Sequence, residues 1–296
     1  MHKEGAGDMI TVFTPTFNRE KYLKRAYESL LMQQDKDFEW IIVDDGSTDN
    51  TSEVVKDFIN QDKIKIQYVY TLNGGKHRAI NMGAKLAEGG WFYIVDSDDW
   101  LTPDAIYEVH KHAGNLQDRG IMDSFYALVG LRKYPNGKTM GITFGGKLIE
   151  MNYLEAREIH GIDGDKAWIV RTDLLKKYPF PEFKGEKFLT EDTWFNYLSH
   201  LGYKCRFFND PIYVGEYLAD GLSQRYNELM AQNYQGSLKY FNDYFKYMID
   251  KKSYVMAKFN YYVSISRMAG KSNEEILNNI DSSVYARYQD EMNKYL

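Results

Sequence analysis

Along the first hundred residues, short apolar runs alternate with amphipathic stretches. Residues 9–14 (MITVFT) are β-branched and apolar and are closed by Pro15, the pattern of a strand. Residues 20–33 then place Tyr22, Leu23, Ala26, Tyr27, Leu30 and Leu31 at helical spacing. EWIIVDD reads as a second buried strand, after which Ser47 or Thr48 caps a helix carrying Val54, Val55, Phe58 and Ile59. IKIQYVY is a third strand, residues 76–87 a third helix and WFYIVD a fourth strand. Thr102-Pro103-Asp104 starts the next helix, with Pro at its first position. This β-α-β-α order predicts an α/β fold with a mostly parallel sheet and right-handed crossovers.

Beyond residue 120 the pattern changes. FYALVGLRKY, the Pro135-Asn136-Gly137 turn and TMGITF predict a hairpin. KAWIV, KCRFF and IYVGEYL are strand-like, and EDTWFNYLSHLG is helix-like. No proline follows Pro211 and only Gly236 and Gly270 follow Gly221, so a helical region is expected from about Ser223. The expected layout is a disordered leader at 1–8, an α/β domain at 9–222 with halves at 9–100 and 101–222, and a helical extension at 223–296. In that extension Tyr234, Leu238, Phe241, Phe245 and Met248 form a helical stripe. Packing onto the rest of the chain is the preferred reading. The flanking Lys239, Lys246, Lys251, Lys252 and Lys258 leave a homodimer seam or a peripheral membrane contact as the alternatives.

Composition narrows the function classes. Lys+Arg 37 against Asp+Glu 42 gives a net charge of −5, which argues against a nucleic-acid partner. The single Cys205 excludes a disulfide framework and a Cys-based zinc site. No apolar run approaches the roughly 18 residues of a membrane-spanning helix, and the N-terminus lacks an apolar signal segment. A cytoplasmic protein is therefore expected. The histidines show no metal-ligand spacing, and His110 and His112 are expected on a solvated helix face. The 25 tyrosines are left without an explanation by composition.

The strongest chemical feature is WFYIVDSDDW. Residues two apart on an extended strand face one side, so Asp96 and Asp98 converge at the end of a buried strand, where open α/β sheets place ligands. Three carboxylates in four residues, Asp96, Asp98 and Asp99, call for a hard divalent ion, Mg²⁺ or Mn²⁺. An Asp-rich solvated loop would be the reading of the tetrapeptide alone. Its position, and Asp44 and Asp45 at the end of the second strand, favour a ligand site. Gly46 lets a backbone approach Asp45 closely, while Asp49 reads as a helix cap. Thr14, Pro15 and Asn18 end the first strand at the same rim, so that three polar strand tips describe a nucleotide cleft.

TPTFNR, IIVDDGSTDNT, NGGKHRAINMG and DSDDW together resemble, in order and spacing, the motifs of family 2 glycosyltransferases, which have the GT-A fold. The resemblance runs from about Met9 to Ser223. It implies a nucleotide-sugar donor, most often a UDP-sugar, and inversion at the anomeric carbon. It also implies that Pro15 and Asn18 line the nucleotide pocket with Thr14, Asp44 and Ser97 as further nucleotide-binding residues, that Asp45 holds the base, and that Asp96 faces the ribose. Asp98 would bind the metal, with Asp96 and Asp99 sharing it, and Lys76 and Arg78 would meet the phosphates. Gly75-Lys76 is not a P-loop, since Tyr70 and His77 stand where Gly and Ser/Thr are needed.

An inverting transfer needs a base for the acceptor hydroxyl. The family places an Asp at a helix start beyond the metal motif, which implies Asp192 as base, Glu191 as its neighbour orienting the acceptor, and Thr190 as the cap. The helix dipole alone also favours acidic residues there. Asp165, Trp168 and Trp194 are acceptor-side candidates, although a packed Trp is commoner. Residues 216–223 resemble a lid over the diphosphate in capsule- and cell-wall-type members. The acceptor would be a glycan or lipid-linked hydroxyl, reached in the cytoplasm or at the inner membrane face. A metal-dependent phosphohydrolase fits less well, because Asp99 and Trp100 stand where that family wants a small residue. A non-catalytic sugar-nucleotide-binding protein would be expected to lack Asp192, and a sugar-nucleotide pyrophosphorylase would carry a Gly-rich loop in place of TPTFNRE.

Overall fold

The computed structural model of the chain describes residues 9–217 and 222–296. The leader and residues 218–221 of the expected lid lie outside the described residues. Contacts divide the chain into two compact units, Met1–Phe180 with Gly202–Glu216, and Pro181–Leu201 with Tyr217–Leu296. Residues 181–201, expected in the α/β domain, thus group with the C-terminal helices.

In the first unit, β1 (Ile10–Thr16), α1 (Leu23–Leu31), β2 (Phe38–Asp44), α2 (Thr51–Asn60), β3 (Ile66–Tyr70), α3 (Lys76–Leu86) and β4 (Trp91–Ile94) alternate as expected. They are followed by β5 (Trp100–Leu101), α4 (Ala105–Asp118), β6 (Phe125–Lys133), β7 (Ile149–Met151), β8 (Lys166–Arg171), α5 (Thr172–Lys177) and β9 (Lys204–Val214). The sheet order is β3-β2-β1-β4-β8-β6-β9-β5, with β7 paired to β9. The pairs among β1 to β4 are parallel, whereas β8 runs antiparallel to both β4 and β6. The result is a GT-A-like mixed sheet. Every residue of β2 is buried, as a central parallel strand covered on both faces requires, while β3 at the edge is half exposed.

The core explains how the helices are held. Tyr27 of α1 stacks on Phe58 of α2 at 4.2 Å, and both lie against Trp40 of β2 at 6.2 Å. Burying side chains of this size contributes about 1.5–3 kcal/mol each. On α3, a Cβ at Gly83 would stand 2.3 Å from the Phe13 ring. Only glycine allows α3 to press this closely on β1.

Three expectations are corrected. TMGITF forms no strand: after β6 only a bridge between Lys133 and Thr139 remains. Gly141 has φ +66°, with the backbone of Asp163 and Gly164 packed against it, which breaks the extended geometry. KCRFF and IYV are one strand, β9, running through Pro211. Neither Ser47 nor Thr48 caps α2; the cap position is Asn50, and the Asp49 carboxylate accepts from the Thr51 amide at 3.0 Å.

The second unit contains α6 (Asp192–His200), α7 (Tyr226–Gln232), α8 (Tyr234–Tyr247), α9 (Lys252–Met268), α10 (Asn273–Asn278) and α11 (Ser282–Met292). Tyr234, Phe241, Phe245 and Met248 of the expected stripe are buried, with Phe241 5.3 Å from Tyr262 and Phe245 6.5 Å from Phe259. Lys239 pairs with Asp243, Lys246 with Asp281 and Lys252 with Glu291, while Lys258 lies over the Tyr244 ring. These partners compensate most of the charge that the membrane alternative drew on. Among the described residues no helix is long and apolar enough to cross a membrane.

Candidate functional site

Backbone hydrogen bonds tie the four parallel strand tips together. The Asp45 amide donates to Thr16 O, the Thr71 amide to Asp44 O and the Val95 amide to Phe13 O, each at 2.8 Å. The loops after β1, β2, β3 and β4 therefore leave one edge of the sheet in a fixed relation.

Several of the expected nucleotide-binding residues build this edge from inside. Thr14 is fully buried, and its hydroxyl accepts from the Trp40 indole at 3.0 Å. Asp44 is also fully buried, accepting from the Ser47 amide and the Tyr68 hydroxyl, both at 2.7 Å. Burial and the adjacent Asp44 carboxylate raise the Tyr68 pKa, which keeps that phenol a donor. Thr14 and Asp44 thus brace the strand tips from within the sheet. Asn18 sits at φ +52°; its carboxamide accepts from the Thr48 amide and its own amide donates to the Ser47 hydroxyl, both at 2.8 Å. It locks the β1 loop to the β2 loop, with Pro15 half-buried beside it.

Asp45 organises the third loop. Its carboxylate accepts from the Gly74 amide at 2.6 Å, the Gly75 amide at 2.8 Å and the Asn73 carboxamide at 3.2 Å. Gly46, at φ +86°, lets Asn73 approach, since a Cβ there would lie 2.8 Å from the Asn73 amide. Gly75 is the N-cap of α3, and the next residue, Lys76, reaches Asp96 at 2.7 Å. Arg78 donates to the Gly74 carbonyl at 2.6 Å.

The three carboxylates after β4 have different surroundings. Burial raises the Asp96 pKa, but the charges of Lys76 and Arg132 outweigh it and hold the carboxyl below its usual range. Asp98 is pushed upward by burial and by the charge of Asp96. Its backbone carbonyl accepts from Arg25 at 2.5 Å, yet no side chain among the described residues donates to its carboxylate. Asp99 is 4% exposed; its Oδ2 pairs with Arg132 and accepts from the Tyr213 hydroxyl at 2.9 Å. Burial pushes the Asp99 pKa up against the pull of Arg132. Asp99 is thus tied to β6 and β9 through its Oδ2. Ser97 between them is buried. Asp98, half-buried, lacking a side-chain donor and facing another carboxylate, fits a divalent cation.

Of the residues expected near an acceptor, Asp165 is exposed, and Trp168 on β8 is half-buried, edge-on to Tyr153 at 5.4 Å. In the second unit Asp192 is the first residue of α6 and Glu191 its cap position, with no side-chain cap bond. Thr190 accepts from the Tyr226 hydroxyl at 2.8 Å instead of capping. Burial and the Asp192 charge raise the Tyr226 pKa, which places that phenol within the field of Asp192. Trp194 is 2% exposed and cannot offer a face to a sugar, because its side of α6 packs inward.

Residues 11–209 match the family model described as Glycosyl transferase family 2. The chain belongs to that family. The chain is 34% identical over 120 residues to the glycosyltransferase GlyA of Streptococcus pneumoniae, covering 40% of the chain and 17% of GlyA. It is 32% identical over 197 residues to the poly(ribitol-phosphate) beta-N-acetylglucosaminyltransferase TarS of Staphylococcus aureus, covering 65% of the chain and 32% of TarS. The chain spans less than two thirds of the length of either relative. Among solved structures, the TarS fragment 1–349 in complex with UDP-GlcNAc matches with a TM-score of 0.62 at 20% identity, over 97% of this chain and 89% of that one. The mannosyltransferase PcManGT of Pyrobaculum calidifontis, in complex with GDP-Man and Mn²⁺, matches with a TM-score of 0.56 at 16% identity, over 95% and 75%.

Three residues around the acidic motif, Arg132, Tyr213 and Arg25, belong to none of the sequence motifs. Arg132 lies over the Tyr213 ring at 4.0 Å while pairing with Asp99. Tyr213 accepts from the Asp96 amide at 2.9 Å and donates to Asp99. Arg25 stacks on Trp100 at 3.9 Å and pairs with Glu216 at 3.0 Å. The one available signal was a lone Arg inside the apolar run FYALVGLRKY, since a buried guanidinium needs a carboxylate. His110 and His112 are also corrected. Their side chains are only 20% and 12% exposed, because α4 packs that side onto Asp35 and onto β9.

Proposed function

We propose that this enzyme transfers a sugar, with inversion, from a UDP-sugar to a hydroxyl of a glycan or lipid-linked acceptor on the cytoplasmic side of the cell. The observation that carries the donor reading is the Asp98 carboxylate, lacking a side-chain donor, beside the Lys76–Asp96 pair at the end of buried β4. The nucleotide-sugars named in the TarS and PcManGT structures support the donor class, and the TarS name supports a surface-polymer acceptor.

In this proposal Pro15 and Asn18 line the nucleotide, and Asp45 presents the base pocket through the loop it holds. Asp96 and Ser97 meet the ribose. Lys76 exchanges Asp96 for the donor's diphosphate, and Arg78 adds a second cation to it. Asp98 with Asp96 would hold Mn²⁺ or Mg²⁺, which supplies Lewis-acid stabilisation of the departing diphosphate. Asp192 takes the acceptor hydroxyl's proton as that oxygen attacks the anomeric carbon, and Glu191, Asp165 and Trp168 orient the acceptor.

Two variants test the roles. Asp192→Asn is expected to keep UDP affinity within twofold in titration calorimetry and to lower kcat at least 100-fold, in line with loss of a general base. Turnover near wild type would remove Asp192 from the mechanism. Asp98→Asn is expected to abolish the Mn²⁺-dependent part of UDP binding, and an unchanged affinity would refute its metal role.

A further inference from the structure

We propose that Glu108, His112 and Asp210 form a second cation site, built from residues other than the strand-tip carboxylates, which takes a first-row divalent transition ion and clips α4 to β9. Glu108 and His112 stand at i and i+4 on α4, the spacing that puts two side chains on one helix face. Asp210 arrives from β9, roughly 100 residues later in the chain. One ligand atom from each residue lies within 4.8 Å of the others. His112 Nε2 is 3.5 Å from Asp210 Oδ2 and 3.9 Å from Glu108 Oε2. Ligand atoms around one zinc ion, bound at about 2.0–2.2 Å, stand about 3.3–3.5 Å apart, so small side-chain movements close the set.

A second observation singles out the imidazole. His112 Nε2 is excluded from solvent and makes no hydrogen bond among the described residues. The ring cannot easily turn away, since it stacks on Phe208 at 4.1 Å with 27° between the planes. A buried polar atom without a hydrogen bond costs free energy, and here the Asp210 and Glu108 carboxylates stand 3.5 Å and 3.9 Å away. An ion bound to all three groups satisfies them together. One nitrogen and two carboxylate oxygens suit zinc better than magnesium or calcium, which prefer all-oxygen shells. Three protein ligands leave a position for water.

Lys111 is the competitor. Its ammonium lies 2.6 Å from Glu108 Oε2, with the side chain half exposed, so it can swing into solvent when an ion arrives. The clip has a place in the architecture of the donor side: Asp210 precedes by three residues the Tyr213 that holds Asp96 and Asp99, and α4 begins six residues after Asp99.

Cobalt absorbance tests the proposal on the full chain, stripped with EDTA and free of nucleotide. Wild type should bind one Co²⁺ with visible d–d bands, displaced by Zn²⁺, and Zn²⁺ alone should raise its Tm. His112→Gln and Asp210→Asn should each lose the bands, whereas Asp98→Asn should keep them. Lys111→Ala should tighten Zn²⁺ binding several-fold, because the competing ammonium is gone. Asp210 is 43% exposed, so its variant serves should His112→Gln misfold. Absence of d–d bands and of a Zn²⁺ shift in wild type would overturn the proposal. Bands that survive Asp210→Asn, or vanish only with Asp98→Asn, would overturn it too, the latter without touching the donor reading.

Discussion

Tyrosine serves different purposes in the two units. In the sheet unit, Tyr68 and Tyr213 give their hydroxyls to Asp44 and Asp99, and so orient carboxylates at or behind the strand tips. In the helical unit, Tyr234 bonds Ser266 and Tyr262 bonds the Ile276 carbonyl, both at 2.8 Å, while their rings fill a core with Phe241, Phe245 and Phe259. Alongside core tyrosines such as Tyr27 in the sheet unit, the tyrosines thus show two uses of the hydroxyl. One sets charge where a ligand is expected, and the other anchors rings that supply buried area to short helices that could not persist alone. A phenol is suited to both, having an apolar body and one polar tip.

Phe241→Ala should break the helical side of this contrast most severely. A fully buried Phe truncated to Ala costs about 3–5 kcal/mol, read as a lower urea midpoint, with UDP affinity kept by the molecules that remain folded. A comparable loss of affinity would show that the contrast is false. Tyr213→Phe should act the other way. It leaves the Asp96 amide and half of the Asp99 pairing unsatisfied, costing about 1–3 kcal/mol, and raises the KM for donor. The matched Tyr262→Phe should lower stability by about 1 kcal/mol and leave KM alone.

The smallest effect concerns the ion pair between Lys246 and Asp281. The lysine and the Ser283 hydroxyl and amide hold the Asp281 carboxyl down to about 2. A depressed carboxylate contributes stability that is present above its unfolded pKa, near 4, and lost as pH falls through the folded value. Wild type should therefore lose slightly more Tm between pH 4 and 2 than Asp281→Asn does. Parallel curves for the two proteins would remove the pair from the balance.

The first four strands and their helices were legible because apolar periodicity and polar strand ends are local properties. The acidic cluster at Asp96, Asp98 and Asp99 was equally visible, but the division of labour within it was not. Asp98 and Asp99 are adjacent and chemically identical; only Arg132 and Tyr213, brought in by β6 and β9, distinguish them. That Trp40 donates to Thr14 and Tyr68 to Asp44 was likewise not visible along the chain. TMGITF read as a strand because β propensity carries no information on the backbone of Asp163 and Gly164 packed at Gly141.

By itself, then, the chain's pattern determined a β-α alternation, the strand whose end carries the acidic motif, and membership of a glycosyltransferase family through four ordered motifs. Periodicity and strand ends follow from neighbours within a few residues, so they survive in one dimension. Tertiary structure alone decided which carboxylates are partnered, which tyrosines orient charge, and that Asp210 joins the Glu108–His112 pair of α4. Those outcomes depend on groups tens to a hundred residues apart, whose meeting is set by sheet order and helix packing.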